Sequence, residues 1–270
     1  MARANRHFIP GQIWHITHRC HERDFLLKLV KDRRTWRKWL YEAKVRYDLS
    51  VLNYIVTSNH VHLLVLNDSG WDVIPKSMQL IAGRTGQEYN YRKRRKGAFW
   101  EDRYHATAIE AEKHFLRCLI YIDLNMVRAG MVNHPVEWPD SGYQEIQAPR
   151  RKCGVISYRK LAEKAGFHSY ETFKKAHADW VNEAIENNHP LTRQQEWAES
   201  IAVGSENFTA GMKEKLGIRA KGRTITGTND DSYQLREASQ LYADGFDHKM
   251  VHIGPQNGFS WKTCHDISGR

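Results

Sequence analysis

Long hydrophobic runs are missing from this sequence. No apolar stretch approaches the length of a membrane span, and Met1-Ala2-Arg3-Ala4-Asn5-Arg6 is followed by no apolar segment. Neither a membrane helix nor a signal peptide is therefore expected. Cysteine is also scarce: Cys20, Cys118, Cys153 and Cys264 are scattered, with no C-x-x-C pair. That argues against a zinc knuckle or a disulfide frame and favours reduced thiols in a cytoplasmic protein. Internal repeats are absent too. What remains, at 41% hydrophobic and 27% charged residues in a chain of 270, is the composition of a globular protein with one large domain or two small ones. The net charge of +10 is uneven. Residues 1–150 hold 24 Lys and Arg against 16 Asp and Glu, an excess of eight; residues 151–270 hold 17 against 15, an excess of two. A basic first half suits a phosphate-rich partner or a solvated face, and charge alone does not choose between DNA, RNA and an acidic protein.

Periodicity gives the first half an order. Gln12 to His18 alternates as a strand after the Pro10-Gly11 turn, and Lys31 to Arg46 repeats Trp36, Trp39, Leu40 and Ala43 at helical spacing. Leu49–Thr57 and His60–Leu66 read as two strands joined by Ser58-Asn59. Val73 to about Arg95 reads as a second helix with Asp72 as N-cap, Gly83 as a weak point and Gly97 as the stop. Thr107-Ala108-Ile109 is a short strand, and Glu112 to Arg128 a third helix. This order predicts an α+β fold of the ferredoxin-like, split βαβ kind. An antiparallel sheet would carry two helices on one face, leaving the third helix to cover the other. After Trp138 the character changes, and Gln147 to Lys152 is a polar linker candidate. The expected division is 1–148 and 149–270, the second part mostly helical, with helices over Ser157–Glu186 and Glu196–Leu216. Leu161 to Phe173 resembles a helix-turn-helix, with an ordinary helical hairpin as the commoner alternative.

Chemistry concentrates in two places. In Asn59-His60-Val61-His62-Leu63-Leu64-Val65, strand alternation puts His60 and His62 on one side and Val61, Leu63 and Val65 on the other. Two imidazoles on a rigid strand can share a divalent cation, although such pairs also arise by chance. On the third helix, Tyr121 and Asn125 are spaced i, i+4 and share a face, with Arg117 and Arg128 near it. A tyrosine can attack a phosphodiester that a cation polarises, and an asparagine carbonyl can join the cation's ligands. The bland alternative is a half-buried tyrosine and a surface asparagine. His15, His18, Cys20 and His21 do not gather into a second cluster and read as strand and loop residues.

Ser58-Asn59-His60-Val61-His62-Leu63-Leu64-Val65 and Tyr121-Ile122-Asp123-Leu124-Asn125-Met126-Val127-Arg128-Ala129-Gly130 resemble the signatures of REP-associated tyrosine transposases, in the single-tyrosine branch of the HUH endonucleases. Phe99-Trp100-Glu101-Asp102-Arg103-Tyr104 and Trp138 to Tyr143 echo further family segments, so the resemblance covers roughly residues 7–145. It departs at Met126, where the family has proline, at Trp14, where tyrosine is usual, and at Thr57-Ser58, which replaces methionine-proline. Gly204 to Phe208 resembles part of an extension found on some members.

The resemblance implies that His60, His62 and Asn125 bind Mg²⁺ or Mn²⁺ and that Tyr121 is the nucleophile. The activity implied is a metal-dependent single-stranded DNA endonuclease and strand transferase, acting near DNA hairpins through a 5′-phosphotyrosine. Candidate DNA-binding residues are Arg3 and Arg6 of the N-terminal arm, Arg92, Arg94, Arg95 and Lys96 at the end of the second helix, and Arg103, Arg117 and Arg128. The partner would be single-stranded or hairpin DNA, engaged by a monomer or homodimer. The rival from another class is an inactive hairpin-binding regulator. A metal-free RNA-binding module ranks last, since Tyr54 is the lone aromatic candidate for a stacking platform.

Overall fold

The computed structural model describes residues 8–187, 194, 196–228 and 232–237. Arg3, Arg6 and Cys264 lie outside them. The first elements follow the expected order: β1 (Ile13–Arg19), α1 (Val30–Tyr47), β2 (Ser50–Val56), β3 (His60–Leu66), α2 (Val73–Lys93), β4 (His105–Ile109) and α3 (Lys113–Asp123). After them come α4 (Asn125–Arg128), α5 (Gly142–Gln147), α6 (Tyr158–Lys164), α7 (Tyr170–Glu186), α8 (Glu196–Glu199), β5 (Ala202–Gly204), α9 (Glu206–Leu216), β6 (Arg223–Thr228) and β7 (Ser232–Glu237). The sheet runs β2-β3-β1-β4-β5-β7-β6, antiparallel except where β4 meets β5. Its first four strands have the order that a split βαβ plan requires.

Alternation explains why the sheet is buried on both faces. Residues directly opposite in an antiparallel pair share a face. The register Thr17↔His62, Arg19↔His60 and Thr17↔His105 therefore gathers His15, Thr17 and Arg19 with His60, His62, His105 and Thr107. The opposite face carries Ile16, Val61, Leu63, Val65 and Tyr54, all buried, with α1 and α2 packed together and Trp36 within 6.3 Å of Tyr54. Tyr54 is thus a core residue and offers no stacking platform. α3 takes the polar face, so the division of helices between faces is the expected one.

Several local expectations change. Asp72 stands at the N-cap of α2, yet its side chain makes no cap bond; the carboxylate pairs with Lys76 Nζ at 2.5 Å instead. Gly83 does not interrupt α2. The third helix breaks at Leu124 (ψ 4°) into α3 and α4, although Leu124 N still donates to Ile120 O and Arg128 N to Leu124 O. The predicted helix over 157–186 divides at Gly166, whose φ of 81° glycine adopts without steric cost. The resulting hairpin buries Phe173, His177 and Val181 of α7, with α3 and α5 among its neighbours. The helical stretch expected over 196–216 is interrupted by β5, and β6 and β7 follow as a hairpin. Among its described residues the second part is therefore mostly helical to Leu216, and it gives β5, β6 and β7 to the same sheet.

Asp140 ties the helical layer to β2. Its carboxylate accepts from Arg33 Nε at 2.6 Å and Arg37 Nη1 at 3.0 Å, its carbonyl accepts from Val56 N, and Arg33 lies over the Trp138 ring at 4.7 Å. The Asp140 and Arg33 side chains are 1% and 7% exposed. Asp140→Ala, which leaves a buried guanidinium without a counter-charge, is expected to cost about 3–5 kcal/mol. Urea unfolding measures this, and a loss below about 1 kcal/mol would show that the pair contributes little.

Candidate active site

A cavity of about 820 Å³ opens over the polar face of the sheet. His60, His62, Tyr121, Asn125 and Arg128 line it, with Arg19, Arg23 and Arg103 as further cations and Glu101, Asp102 and Glu199 as anions. Strand alternation delivers the two histidines; the helical turn between Tyr121 and Asn125 delivers the other two groups to the same place. Asn125 Nδ2 lies 3.1 Å from His62 Nε2, and the Tyr121 ring centroid is 5.8 Å from that of His62. The His60 and His62 rings are 5.0 Å apart and nearly perpendicular. His62, Tyr121 and Asn125 are 4%, 7% and 9% exposed, so this part of the site is largely shielded from bulk water.

The protonation pattern can be read from the bonds. A backbone carbonyl only accepts, so His15 Nδ1, 3.0 Å from Trp197 O, carries a hydrogen. His15 is fully buried, and burial depresses its pKa to about 3, partly offset by the Trp197 carbonyl. A neutral ring with hydrogen on Nδ1 has its lone pair on Nε2, and that atom lies 2.9 Å from His62 Nδ1. His62 Nδ1 therefore donates, and its own Nε2 is left as an acceptor on the cavity side, where it takes a hydrogen from Asn125 Nδ2. The His15 and His62 planes agree within 4° at 5.0 Å between centroids, the edge-to-edge arrangement that an in-plane bond requires. His60 follows the same pattern, with Nδ1 2.8 Å from Asn59 Oδ1 and 2.9 Å from Thr57 Oγ1.

These donors fit a divalent cation. Imidazoles that bind a metal characteristically donate their other nitrogen to a neighbouring acceptor. The amide of Asn125 stands at the lone pair of His62, where a half-turn of the carboxamide presents oxygen. Among the described residues no group of three or more His, Cys, Asp and Glu is placed to hold a metal; the third donor here is an asparagine.

Arg128 shapes the surroundings of the phenol. Its guanidinium carbon lies 4.0 Å from the Tyr121 ring centroid and its Nη2 donates to Tyr121 O at 2.8 Å. Burial lowers the Arg128 pKa, opposed by the adjacent tyrosine. The cation thus sits over the aromatic face that would carry phenolate charge.

The remaining sequence candidates divide by position. Arg103 lines the cavity. Arg117 pairs with Glu196 at 3.2 Å. Arg92 bonds Asp32 outside the cavity, Arg95 donates to Ala98 O at 2.8 Å, and Arg94 and Lys96 are exposed at the end of α2. Sequence reasoning missed His15, Trp197 and Glu199. The strand alternation that singled out His60 and His62 also places His15 on this face once β1 pairs with β3. Asp123, between the two helix residues, was also missed: it is buried, accepting from Asn53 Nδ2 at 2.9 Å and pairing with His177 Nε2 at 2.8 Å.

Comparison with known proteins finds likenesses to one family model and to solved structures. Residues 10–125 match the family model described as transposase, IS200-like. No curated protein matches the chain significantly. A solved structure of a REP-associated tyrosine transposase bound to a REP hairpin is 21% identical, with a TM-score of 0.47, covering 55% of this chain and 87% of the other. A structure from Deinococcus radiodurans R1, described as a candidate transposase, is 14% identical with a TM-score of 0.32, covering 47% and 95%. The stretch that is similar to the IS200-like transposase model covers less than half of the chain and contains His60, His62, Tyr121 and Asn125.

Proposed function

We propose that this enzyme cuts and rejoins single-stranded DNA beside a hairpin, through a covalent bond between Tyr121 and a 5′ phosphate. The observation that carries the reading is the meeting of Tyr121, Asn125 and the Nε2 lone pair of His62 in one basic-lined cavity. His60, His62 and Asn125 would hold Mg²⁺ or Mn²⁺, which when bound supplies Lewis-acid polarisation of the scissile phosphate. The Tyr121 oxygen attacks phosphorus, the bond to the 3′ oxygen breaks, and the 3′ end leaves as a hydroxyl after gaining a proton. In the reverse step a 3′ hydroxyl attacks the phosphotyrosine and restores the phenol. Both steps exchange one phosphodiester for another, so no external energy source is needed. Arg128 holds positive charge over the tyrosine ring as its oxygen loses the proton, while Arg19, Arg23 and Arg103 provide charge for the DNA backbone.

His60→Ala and His62→Ala should each lower cutting of a hairpin-bearing oligonucleotide by at least about 10³-fold while hairpin affinity changes only a few-fold. Calorimetric titration with Mn²⁺ should show weakened binding in both. Undiminished cutting by His62→Ala would remove the site.

A further inference from the structure

The hydrogen-bonded chain behind His62 ends in the second part of the protein, on a residue outside the stretch that matches the transposase family. We infer that His15 and the main-chain carbonyl of Trp197 are positioning groups that set the tautomer of His62, so that α8 takes part in building the metal site. The inference rests on the reading of His62 as a cation ligand and adds what determines its competence. Neutral histidine exchanges between two tautomers, and only the form with hydrogen on Nδ1 offers Nε2 to a cation on the cavity side. Nothing in β3 alone selects that form. The selection comes from Trp197 O, which can only accept: it fixes hydrogen on His15 Nδ1, hence a lone pair on His15 Nε2, hence hydrogen on His62 Nδ1.

The carbonyl is held firmly enough to do this. The Trp197 side chain is completely buried, its ring centroid is 6.0 Å from that of Tyr121, and its Nε1 donates to Gln194 Oε1 at 2.6 Å. The turn after α8 is pinned to the sheet through Ser200 O, which accepts from Thr107 Oγ1 at 2.6 Å and lies 2.8 Å from His105 Nε2. Ala108 N donates to Ile201 O at 2.7 Å. Arg117 fixes the start of α8 through Glu196. The segment therefore sits against β4, and its carbonyl meets His15 182 residues away in sequence.

The test uses the full chain with ring-labelled histidine. In metal-free wild type, long-range nitrogen–proton spectra should show His62 with hydrogen on Nδ1. His15→Leu deprives that hydrogen of its acceptor and should weaken Mn²⁺ binding about 10- to 100-fold. His15→Gln, whose side-chain oxygen reaches the same region, should remain within a few-fold of wild type. Hydrogen on Nε2 of His62 in the wild type would overturn the inference, as would Mn²⁺ binding by folded His15→Leu within twofold of wild type. If His15→Leu does not fold, the wild-type tautomer and His15→Gln decide, and a Gln variant as weak as a cavity-leaving change would count against the relay. Wild type that binds no Mn²⁺ would instead overturn the cation reading, leaving the tautomer measurement to judge the relay separately.

Discussion

Tyr121→Phe should abolish the denaturant-stable protein–DNA adduct and lower strand cutting by at least about 10⁴-fold, leaving hairpin binding and Mn²⁺ binding near wild type. The change removes one oxygen and keeps the ring, so the contacts with His62, Trp197 and Arg128 persist and the fold has no reason to shift. Asn125 Nδ2 lies 3.1 Å from His62 Nε2, and the single turn between Tyr121 and Asn125 would bring the phenol to a phosphate held at the proposed cation. Tyr104 lies just before β4 and Tyr143 on α5, so neither stands one helical turn before Asn125. Mass spectrometry of the digested adduct should find the label on Tyr121 through a 5′ phosphate. An adduct formed by Tyr121→Phe, or a label on another tyrosine, would show that the nucleophile lies elsewhere.

Truncation should be nearly as damaging. Composition places a boundary at 148/149, and a fragment of residues 1–148 is the direct test of whether the first part stands alone. The structure predicts that it does not. Cutting there strips β4 of the bonds from Ala108 N to Ile201 O and from Glu110 N to Val203 O, at 2.7 and 3.0 Å. It also removes fully buried Phe173, Trp197, Val203 and Leu235 from the core and leaves buried Asp123 without His177. An exposed strand edge beside bared apolar surface favours aggregation. The fragment is therefore expected to lack a cooperative thermal transition by circular dichroism and to cut no oligonucleotide. A soluble fragment that melts cooperatively and cuts at a rate within tenfold of the full chain would support the boundary at 148/149 instead.

The parts of this molecule that could be read from sequence are those governed by local period. A two-residue repeat put His60 and His62 on one face, and a 3.6-residue repeat put Tyr121 over Asn125. The βαββαβ order followed from alternating periods. What was not legible depends on partners far along the chain. β5 has three residues, too few for any period to register, and exists because its backbone completes the edge of β4. The role of His15 requires knowing that β1 lies between β3 and β4 and that a carbonyl of α8 ends above it. Asp72 marks the start of α2 by position, while its carboxylate is drawn to Lys76 in place of the backbone. Arg92 and Arg117 carry the charge expected of a DNA contact, and each also faces a carboxylate that local sequence does not reveal, of Asp32 and of Glu196.

The parallel junction of β4 with β5 also bears on the order in which the fold is completed. Chains emerge from the ribosome N-terminus first, and pairings of high sequence separation form late because loop closure precedes their reward. The groups proposed to cut all lie before residue 129, yet β4 waits for residues 202 and 203 to complete its edge and His15 waits for residue 197. A nascent chain therefore carries His60, His62, Tyr121 and Asn125 before it has the strand that completes the edge of β4. If these groups cut DNA as proposed, synthesis would act as a timer, holding back the finished site until most of the chain has been translated.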